Sequence, residues 1–92
     1  MIVNTDSLFQ QAIEDLSSYP SWTVDVETNG LDAYGYNQLC GIGIAIDRKS
    51  DSTYYFPFRH QQGTNLNPSF LSILMELMSS RTELLGYNLK FD

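Results

Sequence analysis

The run Trp22-Thr23-Val24-Asp25-Val26-Glu27, closed by Thr28, alternates apolar and polar side chains up to Glu27 without a break. Neighbouring residues of a strand point to opposite faces, so Trp22, Val24 and Val26 are expected inside and Thr23, Asp25 and Glu27 outside. A chain built on such a strand needs a sheet with one covered face and one polar face. Cover is available upstream. Leu8, Phe9, Ala12, Ile13 and Leu16 recur on one helical face, with Gln10, Gln11, Glu14 and Asp15 on the other. Thr5 or Asn4 can cap this helix, and the run from Ser17 to Pro20 ends it.

Downstream, Asn29-Gly30 is a turn signal, and the stretch to Asn37 is polar and loop-like. Gln38 to Ile46 then reads as a second strand. Cys40, Ile42, Ile44 and Ile46 share one face, which makes Cys40 a buried, inert thiol. Leu39, Gly41, Gly43 and Ala45 form the other, and the two glycines predict that a helix or backbone approaches there. After a polar hairpin turn (Asp47 to Ser52), Thr53 to Phe58 is a third strand, with Pro57 marking a sheet edge. Asn67-Pro68 opens a helix that runs to about Ser80, and Glu83 to Tyr87 begins a fourth strand. The fold class is α/β.

The second helix carries Phe70, Leu71, Ile73, Leu74, Met75, Leu77 and Met78, an apolar surface too broad for one buried side. It is expected to need a second cover, without which Phe70, Leu71 or Met75 would stand in water, or to pair with another copy.

Composition narrows the chemistry. The 92 residues hold 5 Lys+Arg against 11 Asp+Glu, a net charge of −6. That balance argues against a basic nucleic-acid clamp or an anionic-membrane binder. With 1 Cys and 1 His, zinc sites of several thiolates or imidazoles are excluded, and the lone cysteine fits a reducing compartment. No signal peptide or membrane span is read. His60, at a strand exit without a matching partner, reads as a surface residue. Asp25 and Glu27 are different, because a strand places their α-carbons about 6.5–7 Å apart on one face. Two carboxylates aimed at one point repel unless a cation lies between them, and an oxygen-only set favours Mg²⁺ or Mn²⁺.

Over a longer span, Val24-Asp25-Val26-Glu27-Thr28-Asn29-Gly30-Leu31-Asp32 resembles the first motif of the proofreading 3′–5′ exonucleases. Cys40-Gly41-Ile42-Gly43-Ile44-Ala45 resembles that family's second strand, and Gly86-Tyr87-Asn88-Leu89-Lys90-Phe91-Asp92 its second motif. The resemblance covers essentially the whole chain and is nearest to the exonuclease domain of family-A (polymerase I-like) DNA polymerases, including those of bacteriophages. It implies a ribonuclease-H-like fold, here the N-terminal part: helix, three antiparallel strands, helix and the start of a fourth strand.

It also implies roles. Asp25, Glu27 and Asp92 are the catalytic carboxylates and metal ligands. Thr28 and Leu31 touch the 3′-terminal nucleotide, and Asn88 and Phe91 line the path of a single strand. The implied reaction is hydrolysis of the terminal phosphodiester with two Mg²⁺ or Mn²⁺ ions about 4 Å apart. The implied partners are a single-stranded DNA 3′ end and the remainder of an exonuclease–polymerase chain, in the cytoplasm of a bacterial or phage-infected cell. Tyr34 and Tyr36 are candidates for stacking on bases.

The family's third motif, a tyrosine or histidine four residues before a fourth aspartate, follows the second motif and is absent from residues 1–92. Residues 1–92 are therefore expected to form an incomplete exonuclease domain, inactive by itself. A competing expectation is a noncatalytic nucleic-acid-binding piece that complements a second chain. A homodimer through the helix of residues 68–80 is a further one.

Overall fold

In the computed structural model the described residues are 1–28, 39–46, 53–60 and 63–87. Helix α1 spans Asp6–Leu16, and Thr5 caps it by accepting the Leu8 amide proton at 3.2 Å. Strand β1, Ser21–Thr28, follows, then β2, Leu39–Ala45, and β3, Thr53–Pro57. Helix α2 is Ser69–Ser79 and strand β4 is Glu83–Tyr87. The Asn67 side chain accepts the Ser69 amide proton at 3.0 Å, and Pro68 already has helical angles. Asn67 thus does the capping that its place before a proline predicts.

The four strands form one sheet in the order β3-β2-β1-β4. β1 pairs antiparallel with β2 and β2 with β3, whereas β4 lies parallel to β1. The crossover from β3 to β4 runs through α2. Pro57 sits on an edge strand as expected, since it has no amide proton for a central ladder. The outer side of β3 is partly occupied. Tyr55 donates its amide proton to the Met1 carbonyl at 2.9 Å, and Val3 donates to the Tyr55 carbonyl at 2.8 Å.

Both helices contribute to one core. Phe9, Ala12 and Leu16 of α1 and Leu74 and Met78 of α2 are buried with Trp22, Val24, Ile42, Ile44, Tyr54 and Phe56 of the sheet. The alternation read along β1 is reproduced: Trp22 and Val24 are buried, and Thr23, Asp25 and Glu27 are exposed. The polar row of the central strand thus lies on the sheet's open face.

Three expectations are corrected. First, Phe70, Leu71 and Met75 do not stand in water: Phe70 stacks on Phe9 of α1 with ring centres 4.4 Å apart and 7° between planes. Phe70, Leu71 and Met75 are half-buried against the core, and Ile73 is the residue of α2 that stands out, at 46% exposure. Second, the ladder between β1 and β2 is irregular at Glu27/Thr28, where Glu27 faces Gly41 but Thr28 faces Leu39. One extra residue on β2 shifts the alternation. Leu39 therefore packs against the core, and Cys40 is half-buried and outside the cluster of buried residues. Third, the close neighbour of Gly41 is a side chain, that of Tyr55, whereas at Gly43 the nearest atom is the backbone carbonyl of Asp25, as expected.

Candidate functional site

β1 is central, so its carboxylates are placed by ladders on both sides. Asp25 is level with Gly43 of β2 and Tyr87 of β4, and Glu27 is level with Gly41. The β2 positions beside both carboxylates therefore carry no side chain. Tyr55, level with Gly43 on β3, uses that space. A Cβ at Gly41 would overlap the Tyr55 hydroxyl and its ring carbon, so the phenol lies across β2 at this point. It ends at β1, where the Tyr55 hydroxyl donates to Glu27 Oε2 at 2.9 Å.

The same hydroxyl is 2.5 Å from Nε2 of His60, whose ring meets the Tyr55 ring edge-on with centres 5.5 Å apart. His60 is half-buried, not the surface residue its surroundings in sequence suggested. Asn65 fixes it at the backbone: Asn65 Oδ1 accepts the His60 amide proton at 2.8 Å, and Asn65 Nδ2 donates to the His60 carbonyl at 2.9 Å. Burial pushes the Tyr55 ionisation well above the usual phenol range, reinforced by the hydrogen bond and charge of Glu27 and by the charge of Asp25. The phenol therefore stays protonated and remains a donor to the carboxylate.

Of the residues singled out from the sequence, Asp25 and Glu27 are brought to one exposed face as expected. Thr28 ends β1 opposite Leu39. Leu31, Asn88, Phe91 and Asp92, like Tyr34 and Tyr36, lie outside the described residues. Tyr55 and His60 were missed. A usable signal was present: counting along Thr53–Pro57 puts Tyr54 and Phe56 inside and Tyr55 on the face of the two glycines.

Asp25 and Glu27 offer oxygen alone, which suits a hard divalent cation such as Mg²⁺ or Mn²⁺. Among the described residues no group of three His, Cys, Asp or Glu side chains converges to hold a metal. Asp25 and Glu27 are the two carboxylates that the described part of β1 places on this face. Among the described residues no helix is long and apolar enough to cross a membrane.

Comparison with the curated proteins finds no match. A family model described as 3′–5′ exonuclease, from the family-A DNA polymerases, matches residues 1–92. The matched span takes in the carboxylate-bearing β1, the glycine strand β2 and the parallel β4, so the chain belongs to the 3′–5′ exonuclease family of the polymerase I-like enzymes.

Proposed function

We propose that the chain carries part of a metal-dependent site that removes nucleotides from single-stranded DNA 3′ ends, in the editing of newly replicated DNA. The supporting observation is the placement of Asp25 and Glu27 on the same open face of the central strand, inside a 3′–5′ exonuclease family match. These two side chains, joined by Asp92, would hold Mg²⁺ or Mn²⁺. When bound, the cations would supply Lewis-acid activation of water and neutralise charge at the scissile phosphate. The chain's own residues have three tasks: the carboxylates fix the position of the cations, β1 holds the carboxylates in register, and the open face leaves room for a strand end. Thr28 and Leu31 would meet the terminal nucleotide, and Asn88 and Phe91 the nucleotides behind it.

This reading resolves the charge balance. An acidic chain gains attraction for a phosphate once cations occupy its carboxylates. Residues 1–92 do not contain the Tyr-x-x-x-Asp or His-x-x-x-Asp of the third motif, so alone they should hydrolyse little or nothing.

The test uses the purified 92-residue chain with a 5′-labelled single-stranded DNA and an RNA of the same sequence. Fluorescence anisotropy should show DNA binding that requires Mn²⁺ and disappears in Asp25→Asn and Glu27→Gln. Binding that ignores the metal and both substitutions would sink the reading and favour a noncatalytic nucleic-acid-binding piece. Equal or tighter binding of the RNA would move the substrate class. Mg²⁺-dependent nucleotide release by this chain, abolished by Asp25→Ala, would refute the expected inactivity while supporting the site.

A further inference from the structure

We propose that Tyr55 is a positioning residue for Glu27: its hydroxyl, held from behind by His60, fixes one oxygen of the carboxylate and leaves the other for a divalent cation. The inference rests on the metal-site reading above and adds to it two residues of a different strand and loop. Glu27 is exposed on the open face. An exposed glutamate ordinarily samples several rotamers, and ordering it around an ion costs affinity. A hydrogen bond to a fixed donor removes part of that cost in advance, as second-sphere partners of metal ligands do.

The donor here is fixed three deep. Asn65 closes two hydrogen bonds on the His60 backbone, at 2.8 and 2.9 Å. His60 Nε2 meets the Tyr55 hydroxyl at 2.5 Å, and that hydroxyl donates to Glu27 Oε2 at 2.9 Å. A phenol has one proton. Since it goes to Glu27, the Tyr55 oxygen must accept from His60, which places a proton on Nε2. The arm reaches Glu27 because Gly41 puts no side chain in its way. Tyr55 Cδ1 would lie 3.8 Å from a Cβ at Gly43, an ordinary contact, whereas Gly41 has no room for one.

A tyrosine that only fastened three strands together would affect stability and nothing else. The experiment separates the two roles with Mn²⁺ binding, followed by electron paramagnetic resonance, on the 92-residue chain and its variants. Thermal melting without metal serves as the fold control. Tyr55→Phe keeps the ring over the glycines and should shift the melting midpoint by no more than about 3 °C. It should weaken Mn²⁺ binding by about tenfold. His60→Ala should weaken it comparably, and His60→Gln, whose amide can donate in place of Nε2, should recover part of the loss. In nitrogen-15 spectra the His60 ring should show the proton on Nε2.

Unchanged Mn²⁺ affinity in Tyr55→Phe, with Asp25→Asn and Glu27→Gln both weakened, overturns the positioning role alone. A His60 ring protonated only at Nδ1 does the same, because Tyr55 would then donate to His60 and release Glu27. Mn²⁺ affinity insensitive to Asp25→Asn and Glu27→Gln is a different failure: it removes the metal site, and the positioning role with it.

Discussion

The guanidinium of Arg81 lies 4.8 Å from the centre of the Trp22 ring while donating to the carbonyl of Tyr19 at 2.6 Å. The same group lies 3.4 Å from the Leu16 and Ser17 carbonyls, and its Nε donates to Leu77 at 3.1 Å. Trp22 Nε1 also donates to the Leu16 carbonyl, at 3.1 Å. One cation therefore satisfies the end of α1, neutralises its negative pole and covers the indole of Trp22, the second residue of β1.

Arg81→Ala should lower unfolding stability by about 2 kcal/mol, from the lost charged hydrogen bonds and ring contact. Arg81→Lys should recover less than half, since an ammonium lacks the planar fork that serves several carbonyls at once. Urea denaturation of the three proteins measures both, and a lysine variant as stable as the arginine would show that charge alone matters.

The two glycines of β2 should respond in opposite ways. Gly41→Ala drives a methyl into the Tyr55 hydroxyl, which is tied to Glu27 and His60, and should cost about 1–3 kcal/mol. Gly43→Ala meets only the Asp25 carbonyl at 3.7 Å and Tyr55 Cδ1 at 3.8 Å. It should be neutral or stabilising by up to about 1 kcal/mol through the unfolded chain. In a Tyr55→Ala background the cost at Gly41 should disappear, and a double-mutant cycle by chemical denaturation reads that coupling.

Alkaline stability should depend on Tyr54. Its hydroxyl donates to Asp15 Oδ2 on α1, and burial, then that hydrogen bond and the Asp15 charge, push its ionisation up to about 12. The folded state thus holds the phenol proton more tightly than the unfolded chain, which releases it near pH 10. The stabilisation is complete below about pH 10 and is lost as pH rises toward 12. Denaturation midpoints across that window should fall more steeply in the wild type than in Tyr54→Phe, and parallel curves would assign the effect elsewhere.

The contact between the helices should be measurable by itself. Phe9 stacks on Phe70 and meets Phe56 edge-on with centres 5.9 Å apart. Phe70→Ala should cost about 2 kcal/mol, and the Phe9/Phe70 pair should show a coupling of about 0.5–1.5 kcal/mol in a double-mutant cycle. Sedimentation of Phe70→Ala beside the wild type would also show whether uncovering this side of α2 promotes self-association.

The order of elements was legible because each carries its own periodicity and end signals. Trp22 to Glu27 alternates cleanly, Thr5 and Asn67 mark helix starts, and Pro57 suits only an edge. Asp25 and Glu27 were legible for the same reason, since parity alone places both on one face. Three things depend on contacts between different elements, which parity along one strand does not report. The extra residue opposite Glu27/Thr28 moved Leu39 to the core and Cys40 to its margin. The gap at Gly41 was visible, but its occupant comes from β3, two strands away from β1. His60 joined the site through a fold in the loop fixed by Asn65, a contact that no local pattern announces.

The residues before α1 also bear on the sheet's capacity to grow. Met1 and Val3 take both backbone groups of Tyr55 on the outer side of β3. A foreign strand approaching that flank finds its docking groups already engaged. The opposite flank, along β4, has no neighbour among the described residues. Among the described residues the unpaired edge of the sheet is therefore that of β4, on the far side of β1 from the tyrosine that reaches Glu27.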